Sequence, residues 1–466
     1  MRQQLLSLLL LACAAMIPTS AEVPSLIAIQ DARIVTVSGA VIEKGNVVLN
    51  RGIITDVGPA AAIPKGAWIV DGKGLTVYPG LIDAFSTWGI PEAATAAPAT
   101  GGGRGGAIQV QITPGQAATP QATPARSQGP QDRPGTNSWV KAADLVKPTD
   151  RRLDQARGAG FTSAVTFPRQ GLIGGHGAVV NLGGETSGKM IVEPDAGLHM
   201  TTQPSGYSGY PNSLMGVFAY FRQLWLDAGH YKLSRELYAQ SPASVPRPEY
   251  DRALEGILGA RRLLLPASGP IQLDRMTGLS ADLKTPAVYW GVVEGYRMAD
   301  TLKKAGASVI LNVKWPVKER DTDPEQVDSL RTLELRDKAP TSPAILAAAG
   351  VRFAVSSDGI DAPRDIIRAL KKSIDLGLKK EDALRALTLS AAEIYGVSAR
   401  LGSIEKGKIA NLIVTTGDLF DDKTKVQLIF VDGVKYLPPP ETPQGPAGGF
   451  PGGRPGPTGP VDQEVR

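Results

Sequence analysis

Between Ile27 and Val77 the hydrophobic positions gather in short β-rich runs broken by polar turns: IAIQDARIVTVSG, GNVVLNRGIITDVG and AWIVDGKGLTV. Short β-rich runs bounded by turn residues are the signature of strands. Asn50-Arg51-Gly52 and Asp71-Gly72-Lys73-Gly74 supply hairpin-type turn residues between the runs. This stretch predicts a small antiparallel sheet. The same pattern returns near the end, in GSIEKGKIANLIVTTGDL and VQLIFVDGVKYL. Two strand-rich pieces at opposite ends predict one β-sandwich assembled from both termini.

Between them the period switches back and forth between strand and helix. TDRRLDQARGAG reads as a helix and the following FTSAVTF as a strand. AVYWGVV leads into a helix, EGYRMADTLKKAG, and then into the strand SVILNV. SPAILAAAG is a helix, VRFAVSS a strand and PRDIIRALKKSIDLG a helix. KKEDALRALTLSAAEIYG has acidic residues in its first turn and Gly396 just past its end, the marks of a helix start and stop. Repeated βα units predict a parallel sheet with right-handed crossovers. Residues 81–399, less one insertion, have the length of an eight-stranded barrel. The expected fold class is therefore α/β, a (β/α)8 TIM barrel plus a composite β-sandwich.

Composition changes that picture in two places. Residues 93–137 are Ala, Gly, Pro, Thr and Gln with GGGRGG and TPQATPARSQGPQDRPG, and residues 437–466 are rich in Pro and Gly. Neither buries enough apolar surface to offset its ordering entropy, so both are expected to be disordered. The resulting division is sandwich 22–80, barrel 81–399 with the insertion 93–137, sandwich 400–436 and tail 437–466.

The first residues predict export. Arg2 is followed by an apolar run from Leu5 to Ile17, too short to span a bilayer, and Thr19-Ser20-Ala21 carries the small residues of a cleavage site after Ala21. Residues 1–21 are thus read as a signal peptide and the product as periplasmic or secreted. The alternative is lipoprotein anchoring through Cys13 in Leu10-Leu11-Ala12-Cys13, where Leu11 fits poorly. Cys13 is the only cysteine, so the mature chain would have no disulfide, thiol nucleophile or thiolate metal site. The net charge of +5 is spread along the chain with no run of five Lys/Arg, which argues against a nucleic-acid footprint. No other stretch is apolar enough to be a transmembrane span.

VYPGLIDA, AGVRFAVSSDG, EDALRALTLSAAEIYGV and LGSIEKGKIANLIVTTGDL follow one another in order and spacing. Together they resemble the amidohydrolase superfamily, most closely its imidazolonepropionase-like branch, over nearly the whole mature chain outside the insertion and tail. The resemblance implies a metal-hydrolase barrel joined to a composite sandwich, hydrolysing carbon–nitrogen bonds other than peptide bonds. It also implies ligands at the barrel mouth: His-x-His after the first strand, a carboxylated Lys or Glu after the fourth, a His after each of the fifth and sixth, and an Asp after the eighth. Such ligands hold a zinc-like ion with an open position, and the ion lowers the pKa of bound water.

This sequence departs from that set. Phe85 and Thr87 stand where His-x-His is implied, and only three histidines occur, His176, His199 and His230. Read with PAVYWGVVEG as the fifth strand and VILNVKWP as the sixth, neither strand carries a histidine, and Lys314 lies near the mouth instead. Asp358 in SSDG is the one match to a ligand position, although an Asp before Gly also serves as a plain turn residue. His176, among glycines in GLIGGHGAVVNL, reads as a polar turn residue or as a pocket residue. His199 reads as a hydrogen-bonded structural residue on a strand, and His230 as a surface or cap residue. Glu294 with Lys314 and Asp358 could form an acid/base set without metal. No nucleophile elbow or phosphate loop is present.

Two functional expectations follow. In the first the chain keeps the fold, lacks the metal and is non-catalytic, a binding or structural partner of an active homologous subunit or of another copy of itself. In the second it is a hydrolase of amide or cyclic amide bonds with an altered mononuclear or metal-free site around Asp358. No cofactor is expected in the first, and a divalent metal only in the second. A small-molecule ligand fits either.

Overall fold

The computed structural model describes residues 25–91, 133–203, 210–318, 327–360 and 362–438. The expected leader, residues 93–132 of the expected insertion and residues 439–466 of the expected tail lie outside the described residues.

Eight short strands form one sheet: β1 (Leu26–Ile34), β2 (Ile42–Asn50), β3 (Ile53–Gly58), β4 (Trp68–Asp71), β5 (Thr76–Pro79) and, from the other end of the chain, β14 (Leu412–Thr415), β15 (Val426–Val431) and β16 (Val434–Tyr436). The sheet branches at β1. That strand pairs antiparallel with β2, parallel with β4 through Ile27 and Trp68, and parallel with β5 through Ile34 and Val77. The termini meet where β5 pairs antiparallel with β14, Tyr78 opposite Ile413. Inward-facing Ile29, Ile34, Leu49, Val77, Leu412 and Phe430 form its core.

The second sheet is the barrel, in chain order around the ring: β6 (Leu81–Ser86), β7 (Phe161–Thr166), β8 (Ile173–Asn181), β9 (Ile191–Met200), β10 (Leu263–Pro266), β11 (Ala287–Val292), β12 (Ser308–Asn312) and β13 (Phe353–Ser356). Its interior takes one apolar side chain from most strands, including Ile82, Val165, Val179, Leu264, Val288, Ile310 and Ala354. A larger core lies between the strands and the surrounding helices. β13 returns beside β6 to close the ring.

Within this barrel β8 runs antiparallel to both neighbours. The connection Phe167–Leu172 is too short for the dozen or more residues that a parallel crossover needs, so the chain must reverse. The glycines around His176 are therefore a strand and not the turn expected. They make room for neighbours: a Cβ on Gly177 would lie 2.1 Å from the Phe167 ring.

Three other elements differ from the sequence reading. The helix expected over 379–396 is two, Lys380–Ala386 and Leu389–Ile394, broken at Thr388. The amide of Ile82 on β6 takes the carbonyl of Leu387 at 2.7 Å, so that group is spent on the barrel. The helix Leu214–Gln240 runs 27 residues, through and past His230. Residues 133–137, expected in the disordered insertion, are built in. The Arg133 guanidinium binds Asp227 at 2.6 Å and Asp251 at 3.0 Å, and Gly135 O accepts from Leu172 N.

Candidate functional site

The C-terminal ends of β6 and β13 carry Ser86 and Ser356, and the loops beyond them open on a cleft of about 210 Å³. Ser86, Thr87, Arg152, Arg169, Ser357 and Asp358 are among its lining residues. Sequence reasoning placed Thr87 and Asp358 here, and both are here.

Phe85 lies just beneath the cleft, fully buried. Its ring stacks on Trp290 of β11 at 4.6 Å between centroids with planes 17° apart. Phe167 at 5.1 Å and His199 of β9 at 5.5 Å pack around it. The Arg169 guanidinium caps the Phe85 ring at 4.7 Å, and its Nη1 donates to Asp358 Oδ1 at 2.7 Å. A cation over a ring face is attracted by the ring's quadrupole. The floor of the mouth is thus an aromatic cluster under a guanidinium–carboxylate pair.

Beside it, Arg152 is held by Asp150, whose carboxylate accepts from Arg152 and from Gly89 N. Burial opposes the Asp150 charge, but these donors prevail and hold its pKa below the ordinary value. Arg152 Nη1 donates to Thr87 Oγ1 at 3.1 Å, so that hydroxyl oxygen is already engaged.

Asp83 of β6 is completely buried below this layer. Its Oδ1 accepts from Phe85 N at 3.2 Å and from Ser357 N at 3.0 Å, tying β6 to the end of β13. Its Oδ2 has no partner. Burial raises its pKa from 3.8 to about 7, against the pull of the Ser357 side chain and then of those N–H groups. His199 is also fully buried, and its pKa is lowered to about 3, by burial first and then by the Arg169 charge. The Pro168 carbonyl offsets this slightly, but neither ring nitrogen makes a well-formed hydrogen bond. The expectation of a hydrogen-bonded structural His199 is corrected: it is a neutral, unpaired member of the aromatic cluster.

The remaining candidates lie apart from this cluster. His176 sits in mid-strand, buried, bound to Asp195 at 3.0 Å and to Gly256 O at 2.9 Å, and holds structure together. His230 is on the exposed face of its helix. Glu294 is engaged by Arg297 at 2.9 Å and Arg331 at 3.6 Å. Lys314 is exposed, with its stem 3.6 Å from where a Cβ on Gly359 would lie. Glu294, Lys314 and Asp358 therefore do not form a hydrogen-bonded set. Arg169, Arg152, Trp290, Asp83 and His199 went unread as site residues, although Arg169 in the loop after β7 was a visible signal.

The strand count also needs correction. Leu263–Pro266 is the fifth strand around the ring, so AVYWGV is the sixth and SVILN the seventh. With the corrected count the fifth strand ends in Pro266 and the sixth carries Trp290, again without histidine. The donors that a zinc-like ion needs are not assembled: a phenyl ring and an indole, whose N–H only donates, occupy the first- and sixth-strand places, and Asp358 is taken by Arg169. Among the described residues no three of His, Cys, Asp and Glu come together as a metal set. The residues present do not fit the metal implied by the fold.

A family model described as the amidohydrolase family matches residues 293–435. None of the curated proteins matches. Among solved structures, an amidohydrolase from Thermotoga maritima MSB8 superposes with a TM-score of 0.68 at 22% identity, covering 88% of this chain and 100% of that one. A candidate prolidase from Bifidobacterium longum superposes with a TM-score of 0.51 at 16% identity, covering 90% of this chain and 97% of that one. At such identities the likeness carries the fold and not the chemistry. The chain thus shares the barrel-and-sheet fold of these structures, and its segment 293–435 matches the amidohydrolase family model.

Proposed function

We propose that this chain is an exported amidohydrolase-superfamily protein that has given up metal-dependent hydrolysis and acts as a binding or structural partner. The observation that carries this reading is the filled mouth. Phe85 stacks on Trp290, and Arg169 covers Phe85 while neutralising Asp358. A guanidinium stands beside the aspartate where the family fold would place a divalent cation, and it comes from the protein itself. A fixed guanidinium cannot supply a water of lowered pKa. Export rests on the leader read in residues 1–21.

The cleft favours a second reading, an altered hydrolase of amide or cyclic amide bonds around Asp358, with Arg152 and Arg169 orienting a polar substrate. Turnover of a panel of amides and cyclic amides by the purified mature chain, with and without zinc or manganese, separates the two. No turnover that Asp358→Ala abolishes is the expected result. Turnover lost in that variant would replace the first reading by the second.

A further inference from the structure

The cleft at the barrel mouth has positive charge to spare. Arg152 and Arg169 stand in its wall, and each already has a carboxylate, Asp150 and Asp358. Two more cations stand at its rim. Lys314 is exposed, and its stem lies beside Gly359, a lining residue. Arg364 is exposed and follows Pro363, another lining residue, at the start of the helix Arg364–Asp375. That end of a helix is itself positive, so Arg364 adds to the local field where an acid would offset it. Neither Lys314 nor Arg364 forms an ion pair among the described residues, which leaves their charges uncompensated.

The two arginines of the wall differ in what they have left to give. Arg152 is engaged at Nε by Asp150, at Nη1 by Thr87 Oγ1 and at Nη2 by the carbonyls of Thr87 and Ile90. It is a fixed charge. Arg169 donates only through Nη1, to Asp358. Its Nε is buried without a partner, and its Nη2 has none among the described residues. A guanidinium has five N–H groups in a planar fork that matches two oxygens of one anion, and leaving them unpaired is costly. The exposed Gln155 amide, also without a partner among the described residues, adds a donor to the wall. Trp88 and Ile360 add apolar surface. The volume of about 210 Å³ is below that of a drug-sized site and limits the occupant to a small molecule.

We propose that this cleft binds a small organic carboxylate. Its oxygens take the unspent donors of Arg169, Lys314 and Arg364 balance its charge from the rim, and its apolar body lies against Trp88 and Ile360. Asp358 then serves to hold the Arg169 fork in place. The same excess of positive charge repels a divalent cation. The proposal names a ligand for the binding role proposed above and rests on that reading.

The test is titration calorimetry of the full mature chain with benzoate, with its uncharged counterpart benzamide, and with inorganic phosphate. Benzoate should bind with a Kd of about 1 mM or tighter at low ionic strength, and benzamide at least about tenfold more weakly. Arg169→Met should abolish benzoate binding, and Arg169→Lys, which keeps the charge and loses the fork, should weaken it about tenfold. Because Arg169 also packs on Phe85, the exposed pair Lys314→Met with Arg364→Met gives a second reading that leaves the packed layer alone. That double variant should weaken benzoate about threefold or more at low salt and far less at high salt, where the charges are screened. Equal affinity for benzoate and benzamide overturns the proposal, as does benzoate binding that survives Arg169→Met. Phosphate bound in the absence of any benzoate binding overturns the assignment to an organic carboxylate. No anion binding by a metal-free chain strikes this proposal and leaves the binding reading standing, whereas turnover lost in Asp358→Ala strikes that reading itself.

Discussion

Phe85 and Trp290 stack across the barrel, from the first strand to the sixth, at 4.6 Å between ring centroids. Phe85 stands one residue before the end of its strand and Trp290 two residues before the end of its own. Their contact turns a polar mouth into a packed layer. Phe85→Ala should therefore behave as a core truncation, lowering stability by about 3–5 kcal/mol in denaturant unfolding. A loss under about 1 kcal/mol would show that the ring is not an integral part of the packing.

The ion pair above that layer is partly exposed, 28% at Arg169 and 20% at Asp358, so its worth is moderated by solvent. A double-mutant cycle with Arg169→Met and Asp358→Asn should give a coupling of about 1 kcal/mol, with each single change costing more than the pair together per site. Additive effects would mean that the two side chains do not depend on one another.

Two buried groups of the site titrate in opposing senses. Asp83 is raised from 3.8 to about 7, so its contribution is present at low pH and is lost as pH rises through that interval. His199 is lowered from 6.5 to about 3, so its contribution is present above 6.5 and is lost as pH falls toward 3. Between about pH 4 and 6.5 the slopes oppose, each at most about 1.4 kcal/mol per pH unit. Asp83→Asn keeps the acceptor for Phe85 N and Ser357 N and removes the titration. That variant should gain stability relative to the parent at pH 8 and lose more of it on acidification. Parallel stability profiles for parent and variant would contradict the assignment.

Gly177 is a packing position. Any Cβ there meets the Phe167 ring at 2.1 Å, and that ring is itself held by Phe85. Gly177→Ala should cost about 2–3 kcal/mol in thermal or denaturant unfolding. A neutral substitution would show that Phe167 can move aside.

The sandwich was legible because turn residues such as Asn50-Arg51-Gly52 and Asp71-Gly72-Lys73-Gly74 punctuate its short β-rich runs. β10 was not legible: LLLP is four residues buried on both sides and carries no alternation. Missing it moved the strand count by one and hid the fact that Trp290 lies on the sixth strand. β8 was misread because its glycines, which signal turns in isolation, are there to admit the Phe167 ring and the backbone of Val140. The loss of His-x-His at Phe85 and Thr87 was plain from the sequence. What fills the place was not, because Arg169 reaches Asp358 across 189 residues of chain and only the closed barrel brings them together.

The central claim is that the residues at the mouth do not form a divalent-metal site. The most direct measurement is elemental analysis of the mature chain, purified without a chelating tag and dialysed after exposure to zinc and manganese. Metal far below one equivalent per chain, unchanged in Asp358→Ala, is the expected result. Near-stoichiometric metal that disappears in Asp358→Ala would contradict the claim and restore the hydrolase reading.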